Sequence, residues 1–341
     1  MKILGIESSC DETAASVVAG KNNSVKVLSN IVSSQIDIHK KYGGVIPEIA
    51  AREHVLEILP VIDKALKLAN IKKENFSKEI SAISIASGPG LVSSLMTGIE
   101  TAKSLSYIYK IPLISVNHIE GHIYANFINQ SKIEFPAIVL TVSGGHTMLV
   151  LMSNFNSFKT LGETKDDAAG EAFDKAAQLM NIGYPGGPII SELAEKVKNR
   201  EYVDLPRPMI NSGDFSFSFS GLKTALLYKL QKDENYKNYI PEYCYEFQQS
   251  IIDVLIKKTI KAAKEFDAKS ILLAGGVSAN KELRLQLDSA VEKLPQTIFY
   301  KPELSYTTDN AAMIASAGYF KARDKIYTNW KDIKVNPNLA L

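Results

Sequence analysis

One arrangement of apolar and polar residues occurs twice in this sequence. Residues 2–18 consist of an apolar stretch, a turn of small and polar residues, and a second apolar stretch, and residues 137–152 repeat that order. Short apolar runs separated by such turns are typical of paired, buried strands. A length of 341 residues also suits two domains. The sequence therefore predicts an α/β chain with two similar domains.

Helical patterns follow the first copy of this arrangement. Residues 53–69 carry apolar side chains at helical spacing, and residues 91–109 also read as a helix. A polar stretch at residues 129–132 marks the boundary between the halves. We expect an N-terminal domain over residues 1–130 and a C-terminal domain over residues 131–341, whose final helix can pack back on the first domain.

Loops rich in glycine or serine follow the predicted strands at four places. They cover residues 8–11, 88–90, 143–145 and 275–276. Glycine lets backbone N–H groups approach an anion without obstruction by a side chain. One such loop is usually a plain turn, but four of them in two similar halves favour a cleft between the domains that binds a nucleotide. The spacing matches neither the P-loop nor the Rossmann pattern, which disfavours P-loop kinases and GTPases.

Two of the five histidines, His118 and His122, lie four residues apart. On a helix this spacing puts both imidazoles on one face, where they can bind one metal ion, although capping or core histidines are the alternative. Asp309 precedes an Ala-rich helical run, so it is either a third ligand or an N-cap. A zinc peptidase needs Glu directly after the first histidine, and Ile119 stands there. The peptidase mechanism is therefore poorly supported.

Charge and cysteine content limit the location and the partners. The formal net charge is +2, so any RNA contact has to come from a local patch or from a partner protein. Two cysteines suit a reducing compartment, and acidic residues follow the N-terminal apolar run too closely for a signal peptide. No apolar stretch reaches about 18 residues, the length of a membrane span. We therefore expect a cytoplasmic protein without a membrane contact.

Nine short motifs follow one another along the chain. They read ESSCDET (7–13), YGGVIPE (42–48), NHIEGH (117–122), VSGGHT (142–147), DDAAGEAFDK (166–175), YPGGP (184–188), FSFSGLKT (217–224), AGGVSAN (274–280) and TDN (308–310). In this order they resemble the tRNA N6-adenosine threonylcarbamoyltransferases, a family once labelled O-sialoglycoprotein endopeptidase. The resemblance implies an actin-like, sugar-kinase-like ATPase fold with a nucleotide cleft between two similar domains.

The same resemblance implies an activity and a set of site residues. The activity is transfer of a threonylcarbamoyl group from threonylcarbamoyl-adenylate to the exocyclic amine of the adenosine just 3′ of the anticodon in tRNA. One divalent metal ion, with iron favoured over zinc, is expected on His118, His122 and Asp309. Substrate binding is expected from Thr141, Val142, Ser143, Gly144, Gly145, Asp174, Gly187 and Asn280. Asp11 lies in the first loop, where it either assists catalysis or caps its own turn.

Partners and rival functions stay open on the sequence alone. The resemblance implies a paralogous, inactive actin-like subunit and a small ATPase as partners, besides tRNA. The apolar stripe with Leu56, Leu59 and Leu66 either contacts that paralogue or packs on its own domain. An actin-fold small-molecule kinase or a nucleotide-dependent scaffold would share the glycine loops but would not need the histidine pair.

Overall fold

The computed structural model describes residues 1–341, which fold into two compact units. The first unit contains residues 1–133 and 302–341, and the second contains residues 134–301. The sequence-based division assigned the end of the chain to the second domain while allowing its final helix to pack back on the first. In the structure, the final helix and the residues after it belong to the first unit.

Ten strands and eleven α-helices build the two units. The strands are β1 (Lys2–Glu7), β2 (Glu12–Lys21), β3 (Ser24–Ser34), β4 (Ala82–Gly88), β5 (Leu113–Asn117), β6 (Ala137–Val142), β7 (Thr147–Asn154), β8 (Ser157–Glu163), β9 (Ser270–Ala274) and β10 (Ile298–Tyr300). The helices are α1 (Ile36–His39), α2 (Pro47–Leu68), α3 (Phe76–Glu79), α4 (Val92–Tyr109), α5 (His118–Tyr124), α6 (Ala169–Met180), α7 (Gly186–Ala194), α8 (Ser220–Lys232), α9 (Ile240–Glu265), α10 (Lys281–Val291) and α11 (Ala311–Arg323).

Each unit contains a five-stranded sheet, and the two sheets share one topology. The first has the order β3-β2-β1-β4-β5, in which β1, β2 and β3 are antiparallel neighbours and β4 and β5 run parallel to β1. The second has the order β8-β7-β6-β9-β10 with the same pattern of directions. The prediction of two similar halves, made from the repeated strand–turn–strand pattern, is confirmed.

The parallel strands bring the predicted binding loops to one edge of each sheet. Because β1, β4 and β5 are parallel neighbours, the segments that follow their carboxyl ends lie side by side. The same holds for β6 and β9 in the second unit, where Thr141 pairs with Ala274. The loops after the strands of each unit are therefore held at a fixed spacing by the sheet.

Helix α11 lies directly on the first sheet because small residues permit a close approach. A side-chain carbon at Gly5 would lie 2.4 Å from the carbonyl oxygen of Ala311, and one at Gly318 would lie 2.4 Å from Ser84 Cβ. Larger residues at either glycine would push the helix off the sheet. This packing fixes the position of the segment just before α11, which carries Asp309.

Helix α2 begins at Pro47, six positions before the predicted start, because proline is well suited to the first turn of a helix. Its inner face packs on the first sheet, while Leu56 and Leu59 are 65% and 62% exposed. Leu66, grouped with them in the sequence analysis, is only 8% exposed and lies in the core. That grouping was wrong for Leu66, because the helix carries two apolar stripes rather than one.

Hydropathy along the helices bears on a membrane location. None of them combines the length and the apolar character that crossing a membrane requires.

Candidate metal centre and substrate loops

Helix α5 presents the histidine pair at the end of β5. The Asn117 side chain caps this helix, since its Oδ1 accepts hydrogen bonds from the backbone N–H groups of Ile119 (2.8 Å) and Glu120 (3.4 Å). The ring centroids of His118 and His122 lie 4.7 Å apart. The helical spacing therefore places both imidazoles on one face, as the sequence predicts.

Asp309 meets the two imidazoles from the segment before α11. The N-cap of α11 is Asn310, whose Oδ1 accepts from Met313 N at 3.1 Å, so Asp309 does not have that role. Asp309 Oδ1 lies 3.1 Å from His122 Nε2 and 3.4 Å from His118 Nε2. One ligand atom from each of the three residues lies within 4.8 Å of the others. The structure thus brings together the three predicted metal ligands.

The electrostatics of this group suit a cation. Burial alone would raise the pKa of Asp309, but His118 first and then His122 hold that pKa well below its usual range. Burial alone would lower the pKa of His118, but Asp309 and Glu7 outweigh it and hold that pKa well above its usual value. The carboxylate stays ionised, and the imidazole lies where positive charge is favoured.

The donor set also fits a divalent metal. Neither buried ring nitrogen of His122 makes a well-aligned hydrogen bond, although Nε2 lies 3.1 Å from the Asp309 carboxylate, and such atoms are costly unless another group satisfies them. A metal ion bound at Nε2 would do so for one of them. Two imidazoles and one carboxylate are ligands that iron and zinc accept, and three protein ligands leave a coordination position for a substrate atom.

Two residues that the sequence analysis did not single out contact His118 on its other nitrogen. Glu7 Oε2 lies 3.0 Å and Ser9 Oγ 3.1 Å from His118 Nδ1. Glu7 ends β1, and its side chain is fully buried. An acid at the end of an otherwise apolar, buried strand was the available signal, because a buried carboxylate needs a partner.

Asp11 lies in the turn after β1, and its carbonyl oxygen accepts from Gln35 N at 3.0 Å. Together with Asp309 it acts electrostatically on Glu12, a third residue that the sequence did not single out as a site residue. Burial, followed by Asp309 and Asp11, raises the pKa of Glu12 to about 10. Asp11 therefore belongs, with Glu12, to an acidic group within electrostatic range of the candidate metal ligand Asp309.

In the second unit, the loop after β6 is a tight turn. Ser143 N donates to the His146 carbonyl at 2.7 Å, and His146 N donates to Ser143 Oγ at 3.0 Å. A side-chain carbon at Gly144 or Gly145 would meet no atom within 4 Å. The packing of the chain itself does not require glycine at these two positions, so their backbone is open to a ligand.

Gly275 in the neighbouring loop differs from these glycines. Its φ is +86°, and a side-chain carbon there would lie 2.4 Å from the Val142 carbonyl oxygen. Gly276, the next residue, has open space like Gly144. Gly275 is therefore required by the fold, whereas Gly276 leaves a backbone surface free.

Thr141 and Val142 lie in β6, and both side chains are fully buried. Val142 is part of the hydrophobic core of the second unit, and the hydroxyl of Thr141 is buried without a hydrogen-bond partner. Any contact of these two residues with a substrate therefore has to use their backbone atoms.

The remaining predicted binding residues hold helix starts in place. Asp174 Oδ1 accepts from Gly186 N at 2.7 Å, which ties α6 to the start of α7 beside Gly187, and burial raises the pKa of Asp174. Asn280 caps α10 by accepting from Leu283 N at 2.9 Å. Its Nδ2 donates to Gln248 Oε1 at 2.7 Å. Both side chains are preorganised before any substrate binds.

A family model described as tRNA N6-adenosine threonylcarbamoyltransferase matches residues 26–316 of the sequence. The chain belongs to this family. Transfer of a threonylcarbamoyl group to adenosine in tRNA is its function, which makes it a transferase rather than a small-molecule kinase or a scaffold.

Relatives that carry the family name cover nearly the whole chain. A protein named tRNA N6-adenosine threonylcarbamoyltransferase from Dehalococcoides mccartyi (strain ATCC BAA-2100 / JCM 16839 / KCTC 5957 / BAV1) is 53% identical over 94% of this chain and 94% of its own length. One of the same name from Bacillus subtilis (strain 168) is 48% identical over 100% of this chain and 96% of its own length. The predicted resemblance to the tRNA N6-adenosine threonylcarbamoyltransferase family is confirmed.

A solved structure supports the fold of the family member described here. The crystal structure of T. kodakarensis HypF matches with a TM-score of 0.62 at 14% identity, and the match covers 97% of this chain and 48% of that longer chain. With the duplicated sheet topology, this confirms the prediction of an actin-like, sugar-kinase-like fold.

The threonylcarbamoyltransferase chain also has a cavity of about 520 Å³ in its second unit. Residues of α9, α10, the end of α7 and the segment after α7 line it, among them Gln248, Glu282 and Glu195. None of the predicted substrate-binding residues lines this cavity, but Gln248 is the hydrogen-bond partner of Asn280. The sequence contained no motif that indicated this cavity.

Proposed function

We propose that this chain transfers the threonylcarbamoyl group of threonylcarbamoyl-adenylate to tRNA with the help of one divalent metal ion. The observation that carries the proposal is the convergence of one ring nitrogen each of His118 and His122 and a carboxylate oxygen of Asp309 within 4.8 Å of one another. We favour iron over zinc, because two histidines and one carboxylate form the ligand set that many non-haem iron(II) sites use.

The reaction joins an amine to an activated carbonyl. A bond forms between the exocyclic nitrogen of the adenosine just 3′ of the anticodon and the carbamoyl carbon. The bond from that carbon to the phosphate oxygen breaks, AMP leaves, and one proton leaves the nitrogen. Because the donor is a mixed anhydride and already activated, the chain need not supply a nucleophile. Its tasks are orientation, polarisation of the carbonyl and stabilisation of the departing phosphate.

The first unit offers candidates for stabilising negative charge and for accepting the proton. When bound, the ion supplies a positive charge that stabilises negative charge on a carbonyl or phosphate oxygen, an effect of several kcal/mol in such sites. Asp11 is the candidate acceptor for the proton of the attacking amine, since it belongs to the acidic group within electrostatic range of Asp309. Asp309 and the histidines hold the ion in place.

The loops of the second unit are the proposed site for the adenylate. The backbone N–H groups of Gly144 and Gly145 can donate to its polar groups, since these two glycines leave that backbone uncovered, whereas the Ser143 N–H already bonds to the His146 carbonyl. Asp174 can accept from ribose hydroxyls, and Gly187 and Asn280 complete the set. Thr141 and Val142 can contribute only through their backbone.

We also propose that the outer face of α2 binds a partner subunit. Val55, Leu56 and Leu59 are each more than half exposed there, and α4, which packs beside α2, adds the exposed side chains of Val92 and Met96. Apolar side chains grouped in this way mark interaction surfaces in soluble proteins. A paralogous, inactive actin-like subunit fits such a face through helix–helix packing, with a small ATPase as a further partner.

Reconstitution tests the activity and the metal separately. The chain is incubated with threonine, bicarbonate, ATP, tRNA and the candidate partner proteins, and the tRNA nucleosides are then analysed. We expect threonylcarbamoyladenosine in the complete mixture, loss of the product after chelation, and recovery with Fe²⁺ more than with Zn²⁺. Product that is unaffected by exhaustive chelation would contradict the metal. Absence of product from every complete mixture would contradict the transfer.

A second arm tests the need for partners. Preformed threonylcarbamoyl-adenylate is supplied with tRNA and the chain alone. Product in this arm would show that the partners are not required for the transfer step itself.

A further inference from the structure

We propose that Glu7 is a positioning residue for the metal centre and fixes the His118 imidazole so that its Nε2 faces the ion. This inference rests on the proposed metal site and adds a residue to it. The geometry that carries it is a chain of contacts from the end of β1 through His118 to Asp309. Glu7 does not reach the proposed ligand position itself, so it acts only through the histidine.

Both carboxylate oxygens of Glu7 are engaged. Oε2 lies 3.0 Å from His118 Nδ1, and Oε1 accepts from the backbone N–H of Ser9 at 2.5 Å. The Glu7 side chain is fully buried, so water cannot replace either partner. A buried carboxylate with two donors is held in one orientation.

An imidazole binds a metal through one nitrogen, and the hydrogen bond at the other nitrogen decides which one. With a carboxylate at Nδ1, the proton stays on Nδ1 and the lone pair of Nε2 is free for the ion. The Nε2 atom of His118 lies 3.4 Å from Asp309 Oδ1, on the side of the proposed metal site. The orientation that Glu7 imposes is therefore the one that metal binding needs.

His122 shows that this support is specific to one ligand. Its Nδ1 is buried and has no hydrogen-bond partner, so no carboxylate orients it. Of the two histidines, His118 is therefore the one whose direction is set before an ion binds. Loss of Glu7 should weaken metal binding through His118 and leave His122 unaffected.

The backbone around Glu7 is rigid enough to transmit this constraint. Glu7 pairs with Ala14 at the end of the β1–β2 ladder. The Ser9 carbonyl accepts from Leu91 N at 2.8 Å, and a side-chain carbon at Gly90 would lie 2.5 Å from that same oxygen. The turn that holds Glu7 is thus fastened to the loop after β4.

The experiment compares Glu7→Gln with the wild type in the full-length, metal-free chain. Gln has nearly the same shape, but it lacks the charge and cannot accept from both donors. Co²⁺ alone is the probe, because its visible absorption reports the ligand geometry. We expect Glu7→Gln to bind Co²⁺ about 10- to 100-fold more weakly, the usual effect of losing such a second-layer partner. Its Co²⁺ spectrum should also change in shape.

Ser16→Ala is the matched control. Ser16 is fully buried in the same sheet, donates to the Ser29 carbonyl at 2.6 Å and contacts none of the proposed ligands. It should keep the Co²⁺ affinity and spectrum of the wild type. The thermal unfolding of both metal-free variants is measured in parallel.

Each outcome decides the question. Wild-type Co²⁺ affinity and spectrum in Glu7→Gln would overturn the proposal. A Glu7→Gln chain that does not fold without metal would also overturn the proposal, because Glu7 would then stabilise the fold rather than orient the histidine. If His118→Ala also binds Co²⁺ like the wild type, the metal site itself is misassigned. If Glu7→Gln binds Co²⁺ like the wild type but His118→Ala does not, the metal site is supported and Glu7 does not position it.

Discussion

The carboxylate of Glu120 lies 2.7 Å from the ammonium group of Lys321, and this largely buried ion pair joins the two helices next to the proposed metal ligands. Glu120 stands between the two histidines on α5, and Lys321 belongs to α11, which begins just after Asp309. Lys321 also donates to the Ser115 carbonyl at 3.1 Å. The distance between the histidines and Asp309 therefore depends on how firmly these helices hold each other.

Replacing Lys321 by Met should destabilise the chain. The Glu120 side chain is 6% exposed, so the change leaves a buried carboxylate without its partner. Removing one member of a buried pair typically costs about 3 to 5 kcal/mol in the free energy of unfolding, measured here by urea denaturation. Adding Glu120→Gln to Lys321→Met should recover most of that loss. Equal stability of Lys321→Met and the wild type would show that the pair contributes nothing.

The same variant should respond to pH in a definite direction. Burial raises the pKa of Glu120, and Lys321 only partly offsets this rise, so the pKa should climb further without Lys321. A carboxyl group with a raised pKa in the folded state favours folding when protonated, and this contribution is lost as pH rises through that pKa. The deficit of Lys321→Met should therefore be largest near about pH 7 and shrink toward about pH 4.5. The double variant with Glu120→Gln should lack this trend.

Replacing His118 by Ala should remove metal and activity together. The variant loses one of three ligands, so metal content measured by elemental analysis should fall with the rate of nucleoside formation. His39→Ala is the control, because His39 is also buried but bonds to Gln35 instead. Full metal occupancy in His118→Ala would mean that the site is misassigned.

Metal binding by the wild type should weaken as pH falls. Ligating histidines must be neutral, so protons compete with the ion. Asp309 and Glu7 hold the pKa of His118 well above its usual value despite burial, so this competition should begin at a higher pH than for an ordinary imidazole. Titration with Co²⁺ at several pH values measures it. An affinity that is constant across the range of His titration would contradict the assignment.

Two glycine variants separate ligand approach from folding. Gly144→Val adds a side chain where the chain itself leaves open space, so the fold should survive while binding of AMP weakens by about tenfold or more, equal to 1.4 kcal/mol. Gly275→Val adds a side chain that collides with the Val142 carbonyl, and Gly275 has a φ of +86°, which valine rarely adopts. This variant should therefore lower the melting temperature instead. Calorimetric AMP binding by Gly144→Val equal to that of the wild type would count against this loop.

The sequence predicted those parts of the structure that depend on local pattern. The apolar pattern of residues 137–152 indicated the strand pair β6 and β7, and the i, i+4 spacing placed both histidines on one helical face. Motif resemblance supplied Asp309, which lies far away in sequence. The capping role of Asn310 shows why spacing alone could not separate a ligand from an N-cap there.

The rest depends on contacts between distant residues. Glu7 meets His118 across 111 positions of sequence, and no local pattern reports such a contact. Helical periodicity likewise revealed the apolar residues of α2 but not which of them face the sheet. Leu59 and Leu66 look alike in sequence, yet one is exposed and the other is in the core. Only the packing of α2 on its own unit distinguishes them.

That distinction makes the partner surface testable. Leu59 is 62% exposed, so Leu59→Glu should keep the fold and the binding of AMP but abolish co-purification with the paralogous subunit. A charge placed in an apolar helix–helix contact is costly because it must be desolvated. Leu66→Glu is the contrasting variant: it buries a charge in the core of the first unit and should unfold the chain. If Leu59→Glu unfolds as well, α2 has no free face. If it folds and still co-purifies with the paralogue, the partner binds elsewhere.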